Sequence, residues 1–437
     1  MHDDRKGTQR ERLINGMLEA AAREGYADAS IAHVIKRAGV SRPTFYDYFS
    51  DKDDCFQAAL SELTDRLLDE TRREVQRVSG EHALRATLQV LLTFVDAEPE
   101  TARVLINDSM AGGPRALDIR DHSVTQLVQI VEEAEAGLGA ETVTPDISPA
   151  AALGGIYRML APRLRRGQSE SLTLLEDLLA WIESYAERRG AQRWRTLEPT
   201  PLPATTVPNP PPIRFPAETP PGGPRRRRDG KAESDRLRIL DAVANIAERK
   251  GYNAATIAEI CRTAGVDSRV FYRHFADKQR AFAAANELYY QQTMAVSASA
   301  FISAGDWPER IWNSARVSAQ YLEENRNLAH VVFVETHAGG AETIKRVEDG
   351  LMAFTLFLQE GYEHARERDI SVPSRTALEA IALTSFEMSY RELRTSEEPK
   401  LTSYVAQVAW LSLAPFLGVD DANQFIAGRV AEARSEA

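Results

Sequence analysis

The stretch from Ser30 to Lys52, SIAHVIKRAGVSRPTFYDYFSDK, returns 226 residues later as Thr256 to Lys278, TIAEICRTAGVDSRVFYRHFADK. Each copy predicts a helix, a tight turn at Gly39 or Gly265, and a second short helix ending in an aromatic pair. Ser30 and Thr256 stand where a side-chain oxygen can accept a first-turn amide. Glu259, at the third helical position after Thr256, predicts a capping box. Glycine takes the sharp turn without steric cost. Ser41 and Asp267 cap the second helix, and Pro43 is tolerated in a first turn that needs no amide donor. Phe45 with Phe49, and Phe271 with Phe275, recur at i,i+4 and anchor that helix to a small core. The pattern is a helix-turn-helix, the unit that lays a helix in the DNA major groove.

Outward from this motif, Leu13, Ile14, Met17, Leu18 and Ala21 make one apolar face of a helix from about Gln9 to Arg23, stopped at Gly25. Against it the next helix is expected to pack Ile31 and Ile35, or Ile257 and Cys261 in the second copy. A fourth helix is expected from near Asp51 or Asp277, continuing in the first copy through Phe56, Leu60, Leu63 and Leu67. The repeat extends further. Val104-Leu105-Ile106 and Ala111-Gly112-Gly113 match Val331-Val332-Phe333 and Ala338-Gly339-Gly340 at a spacing of 227. Leu172-Thr173 and Ala180-Trp181 match Leu401-Thr402 and Ala409-Trp410 at 229.

We therefore read an all-α chain of two tandem repeats, each a three-helix head followed by a helical body. The expected divisions are head 1 at 7–67, body 1 at 68–198, a Pro-rich linker with a basic arm at 199–230, head 2 at 231–293 and body 2 at 294–437. The linker holds 11 of the 21 prolines between Pro199 and Pro224, a composition that favours extended polyproline geometry over a core. At ~3.1 Å per residue it could reach about 80 Å, well beyond the ~34 Å between successive major grooves.

With 43% hydrophobic and 27% charged residues, the chain has the composition of a soluble globular protein. No run approaches the ~18 apolar residues of a membrane helix, and the polar start predicts no export signal. Cys55 and Cys261 read as small core residues in a reducing cytosol. The net charge of −11 is unevenly spread: residues 1–60 carry −1, residues 225–286 carry +6, and the remainder −16. Head 2 is electropositive; head 1 depends on a few placed cations.

Both copies resemble the DNA-binding head of the tetracycline-repressor (TetR) family in a Ser/Thr-capped second helix, A-G-V, then F-Y-x-[YH]-F-x-D-K. The resemblance implies that Ser41, Arg42 and Thr44 face base edges, with Arg42 as guanine reader, while Tyr46, Tyr48, Lys52 and Ser30 meet phosphates. The corresponding residues in head 2 are Asp267, Ser268 and Val270, then Tyr272, His274 and Lys278, with Thr256 at the cap. Arg269 and Arg273 add cations where head 1 has Pro43 and Asp47. Asp267 and Asp47 fit caps and surface positions better than base contacts. Arg225 to Arg228 form the basic arm, able to reach the minor groove or phosphates.

In the family, the last two long helices of each body form a four-helix dimer interface. Residues 150–166 with 169–189, and 374–394 with 401–417, have the length for it. Leu175, Leu178, Leu179 and Ile182, and Val405, Val408, Trp410 and Leu411, are its candidate stripes, or else ordinary core. The implied protein is a DNA-binding transcriptional regulator, a ligand-released repressor acting as an intramolecular pseudo-dimer on a double-stranded, asymmetric DNA operator. It would sit in the cytoplasm at the nucleoid, away from membranes, and answer to an unidentified small-molecule effector. Two alternatives stay open: a sensing or protein-interaction module with vestigial heads, or a homodimer in which only head 2 binds DNA.

No catalytic or metal constellation is expected and no cofactor is implied, so the chain does not read as an enzyme. His122, His337 and His364 either line a cavity or are solvated or packed in the core. Trp312, Tyr321, Phe333, Phe354 and Phe357 either line an apolar pocket in body 2 or pack its core.

Overall fold

The computed structural model describes residues 2–136, 138, 147–168, 170–186, 200–207 and 225–435. Among them there are helices and no strand, the all-α architecture that the 3.6-residue periodicities predict. The first repeat runs α1 (His2–Glu24), α2 (Ile31–Ala38), α3 (Arg42–Tyr46), α4 (Lys52–Val75), α5 (Ala83–Ala97), α6 (Pro99–Arg103), α7 (Ser109–Ala111), α8 (Pro114–Glu135), α9 (Pro149–Arg165) and α10 (Leu175–Glu183). A π-turn, Val104–Asp108, joins α6 to α7.

The second repeat runs α11 (Arg225–Lys250), α12 (Ile257–Ala264), α13 (Ser268–His274), α14 (Lys278–Ser303), α15 (Trp307–Glu324), α16 (Arg326–Phe333), α17 (Ala341–Gln359), α18 (Gly361–Glu367), α19 (Arg375–Thr395) and α20 (Val405–Leu417). A further helix, α21 (Val419–Ser435), follows. It buries Val419, Ala422, Ile426, Val430 and Ala433, a three- and four-residue step, against α20.

Two compact units result. The first comprises residues 1–189 and 374–384, the second 190–373 and 385–437. In the first unit, α9 meets the 374–384 segment closely. A Cβ on Gly155 would lie 2.1 Å from Thr384 Oγ1, and Arg163 pairs with Glu379 at 2.7 Å. Leu175, Leu178, Leu179 and Ile182 of α10 are buried. In the second unit Val405, Trp410 and Leu411 are buried, while Val408 is half-buried.

Where it is described, the start of the linker is docked and not the free strap that its composition predicts. Pro199 and residues 208–224 lie outside the described residues, but 200–207 rest on the second unit. The Thr200 amide donates to Ser403 O at 2.7 Å, Arg316 reaches Pro203 O at 3.5 Å, and Val207 packs on the core. Proline offers no amide, but its carbonyl and apolar ring still bind a surface. The arginine run Arg225–Arg228 opens α11 and so has helical backbone.

Candidate nucleic-acid interface

Each head is built by local chemistry. Ser30 accepts the His33 amide at 3.3 Å, and Thr256 accepts that of Glu259 at 3.3 Å. Gly39 and Gly265 take left-handed φ values of 61° and 63°, closing α2 and α12. Ser41 and Asp267 then cap α3 and α13 through the amides of Thr44 and Val270, at 3.2 and 2.9 Å. Phe45 and Phe271 are fully buried, with Phe49 and Phe275 beside them at ring distances of 5.8 and 5.9 Å. Burying one such ring stabilises the head by roughly 1.5–3 kcal/mol. It also fixes which face of the recognition helix is left to solvent.

One expectation about packing in head 1 is corrected, and one about capping in head 2. The buried face of α2 is Val34 and Ala38, with Ile31 and Ile35 only half-buried. Gly16 on α1 explains this: a Cβ there would fall 2.8 Å from Val34 O and 3.3 Å from Ala38 Cβ, so α2 sits tight against bare backbone. In head 2 the expected pair does pack: Cys261 is buried with Ile260 and Ala264, and the half-buried Ile257 lies against the same core. The capping box is only half made, because the Glu259 carboxylate pairs with Lys250 at 2.5 Å instead of returning to the cap. Lys250 holds that carboxyl below its ordinary range.

On the solvent face, Ser41, Arg42 and Tyr46 of head 1 are exposed and Thr44 is half-exposed. Ser268, Arg269, Tyr272 and Arg273 of head 2 are likewise exposed. Arg42 lies 5.9 Å from the Tyr46 ring centroid. Among the described residues Arg42, Arg269 and Arg273 make no ion pair, so three guanidinium groups stand uncommitted beside the recognition helices. The Ser41 and Thr44 hydroxyls are 2.8 Å apart and engage each other.

Other candidates are half-buried and differently occupied. Tyr48 donates to Gln9 Oε1 at 3.2 Å. Its counterpart His274 has Nε2 without a hydrogen-bond partner, and burial, then the nearby Arg236, lowers its pKa. Lys52 Nζ donates to Tyr26 O at 3.0 Å and sits 4.3 Å from that ring's centroid. Lys278 does the same with Tyr252 and Ala255 carbonyls at 3.2 and 3.0 Å and the Tyr252 ring at 4.3 Å. In both heads the lysine braces the turn after the first helix, a role that the motif alone did not disclose.

The remaining candidates do not gather. His122 is exposed on α8, His337 is half-buried, and His364 stacks on Trp307 with centroids 5.4 Å apart. Trp312 and Tyr321 are core residues. Phe333, Phe354 and Phe357 are half-buried, Phe333 against Phe386 and the other two against each other. Cys55 and Cys261 are buried free thiols, and burial raises that of Cys55 to about 12. Among the described residues there is no cluster able to hold a metal ion, and no helix is long and apolar enough to cross a membrane.

These are two helix-turn-helix heads of the DNA-binding type, each complete in caps, turn and core. The family model "Bacterial regulatory proteins, tetR family" matches residues 13–59 and 239–285, so both heads are of the type found in that family of transcription regulators, and the type is present twice. It is similar to the nucleoid occlusion factor SlmA of Marinomonas sp., 25% identical over 138 residues, covering 30% of this chain and 70% of that one. It is also similar to the HTH-type transcriptional regulator BetI of Escherichia coli, 39% identical over 61 residues, 14% of this chain and 31% of BetI. Among solved structures, the transcriptional regulator FadR from Bacillus subtilis in complex with stearoyl-CoA aligns at 16% identity and a TM-score of 0.36, over 41% of this chain and 98% of that one. The chain thus spans less than a third of BetI, and about two-thirds of SlmA.

Proposed function

We propose that the chain is a single-polypeptide pseudo-dimer that binds an asymmetric DNA operator through both heads and leaves it when a small molecule enters a body. The observation that carries this reading is the pair of complete heads with unlike solvent faces: Arg42 and Thr44 in one, Ser268, Arg269 and Arg273 in the other. A two-fold dimer repeats one face and reads a palindrome, whereas unlike faces call for unlike half-sites.

Base reading falls to Ser41, Arg42, Thr44, Ser268 and Arg269. Phosphate contact falls to Ser30, Tyr46, Tyr48, Lys52, Thr256, Tyr272, Arg273, His274 and Lys278. An effector shifts the equilibrium between DNA-competent and incompetent head spacings only by binding the two unequally. Such a protein would act at the nucleoid.

Selection of bound duplexes from a random pool, with the mass of the complex measured, tests this. Two unlike half-sites about one helical turn apart and one chain per duplex are expected. A perfect inverted repeat bound by two chains would overturn it. The excess cation of head 2 favours a second reading, in which head 2 alone binds and the chain homodimerises; two chains on copies of one half-site would be its signature.

A further inference from the structure

Each body is fastened to its own head, and the two fastenings differ. In the first repeat, Arg103 at the end of α6 donates to the carbonyls of Ala21 (3.2 Å) and Ala22, capping the C-terminus of α1. Five residues on, Asp108 lies 3.7 Å from Arg103 and accepts the backbone amide of Tyr26, just past the left-handed Gly25. A cation on terminal carbonyls and a carboxylate on the next free amide satisfy the groups that a helix end leaves unpaired. Shifted by 227 residues, the spacing of the surrounding repeat, the same two positions are His330 and Glu335.

His330 and Glu335 pair at 3.7 Å, both mostly buried, and Glu335 Oε1 lies beside Gly251, 3.3 Å from where a Cβ would be. Among the described residues, neither side chain hydrogen-bonds to α11. Imidazole has one donor to spare where guanidinium has several, and it is too short to span two carbonyls and a carboxylate. In this repeat the tie is made instead further up α11, by Arg326 to Glu248 at 3.1 Å and Asn327 to Asn245 at 2.9 Å.

We infer that Arg103 and Asp108 are positioning residues that clasp the α1–α2 turn of head 1 to its body, and that His330 leaves the equivalent turn of head 2 unclasped. A change in body 1 therefore reaches the helix-turn-helix of head 1 through its first turn, while head 2 follows its body only as a whole helix. The consequence for DNA rests on the function proposed above; the clasp itself does not.

Amide hydrogen exchange on the full chain without DNA tests the clasp. Arg103→Ala should speed exchange in residues 25–29 about tenfold, the factor set by loss of one charged hydrogen bond, and leave 251–255 unchanged. Arg103→Lys should restore part of the protection. His330→Arg should slow exchange in 251–255 toward the head 1 value. Asp108→Ala serves as a second route should Arg103→Ala fold poorly. Unchanged exchange at 25–29, or faster exchange spread through all of body 1, would overturn the assignment, as would a His330→Arg chain with an unaltered second turn. In a DNA arm, Arg103→Ala should lower affinity about tenfold for a duplex keeping only head 1's half-site and spare one keeping only head 2's. If no duplex binds at all, the exchange result still stands and the DNA reading alone fails.

Discussion

Arg42 and Lys52 carry the same charge in the same head, yet their surroundings give them different work. Arg42 is exposed and unpaired, with a planar fork suited to guanine O6 and N7. Lys52 spends its ammonium on the Tyr26 carbonyl and ring. Arg42→Ala should therefore leave the melting of the free protein unchanged and cost about 1–3 kcal/mol of discrimination at one base pair. Competition against base-substituted duplexes reads this, and a loss uniform across all substitutions would refute it. Lys52→Met should instead destabilise the free chain by about 1–2 kcal/mol, the scale of a charged hydrogen bond plus a partly exposed cation–π contact. Thermal unfolding without DNA checks this, and an unshifted transition would return Lys52 to a purely phosphate-binding role. The same test applies to Lys278, whose pKa is lowered by burial.

At the scale of elements, the joint at α6 and the π-turn has a pH signature. Burial raises the Asp108 carboxyl to about 6 from 3.8, against the pull of Arg103. The folded chain then holds this proton more tightly than the unfolded one. Stability linked to Asp108 is thus greatest below the unfolded value and declines as pH rises toward about 6, by up to about 3 kcal/mol. A buried ion pair that costs stability while fixing geometry is a positioning device. Asp108→Asn should abolish that slope between about pH 4 and 6 in denaturant titrations; a retained slope would assign it to another group.

What could be read in advance divides along the same line. The caps at Ser30, Ser41, Thr256 and Asp267 and the glycine turns were legible because their partners lie within three or four residues. The buried face of α2 was misread by one step because Gly16, on another helix, decides how close it comes. The clasp at Arg103 and Asp108 and the lysine braces were invisible because their partners lie on other elements, as far away as Ala21 and Tyr26. The apolar spacing of α21 could have revealed that helix, but no matching stretch of sequence in the first repeat pointed to it. The docking of 200–207 was concealed by a composition that describes the linker as a whole.

At the scale of the whole molecule, duplication freed two heads to diverge while one polypeptide carries both, and Gly155 offers a handle on how the first compact unit is closed by the distant 374–384 segment. In an ordinary helix interior, Gly→Ala stabilises by about 1 kcal/mol through backbone entropy alone. Here a Cβ would meet Thr384 Oγ1 at 2.1 Å and its Cα and N at 3.0 Å within the first compact unit. The hydroxyl could rotate away, but the backbone of the 374–384 segment could not, and overpacking of this kind costs about 1–3 kcal/mol. The steric term should win. Gly155→Ala is expected to lower the first unfolding transition, and Thr384→Ala to restore it only in part, since the backbone contact persists. A Gly155→Ala chain that melts higher than the parent would mean that residues 374–384 do not pack on α9 in solution.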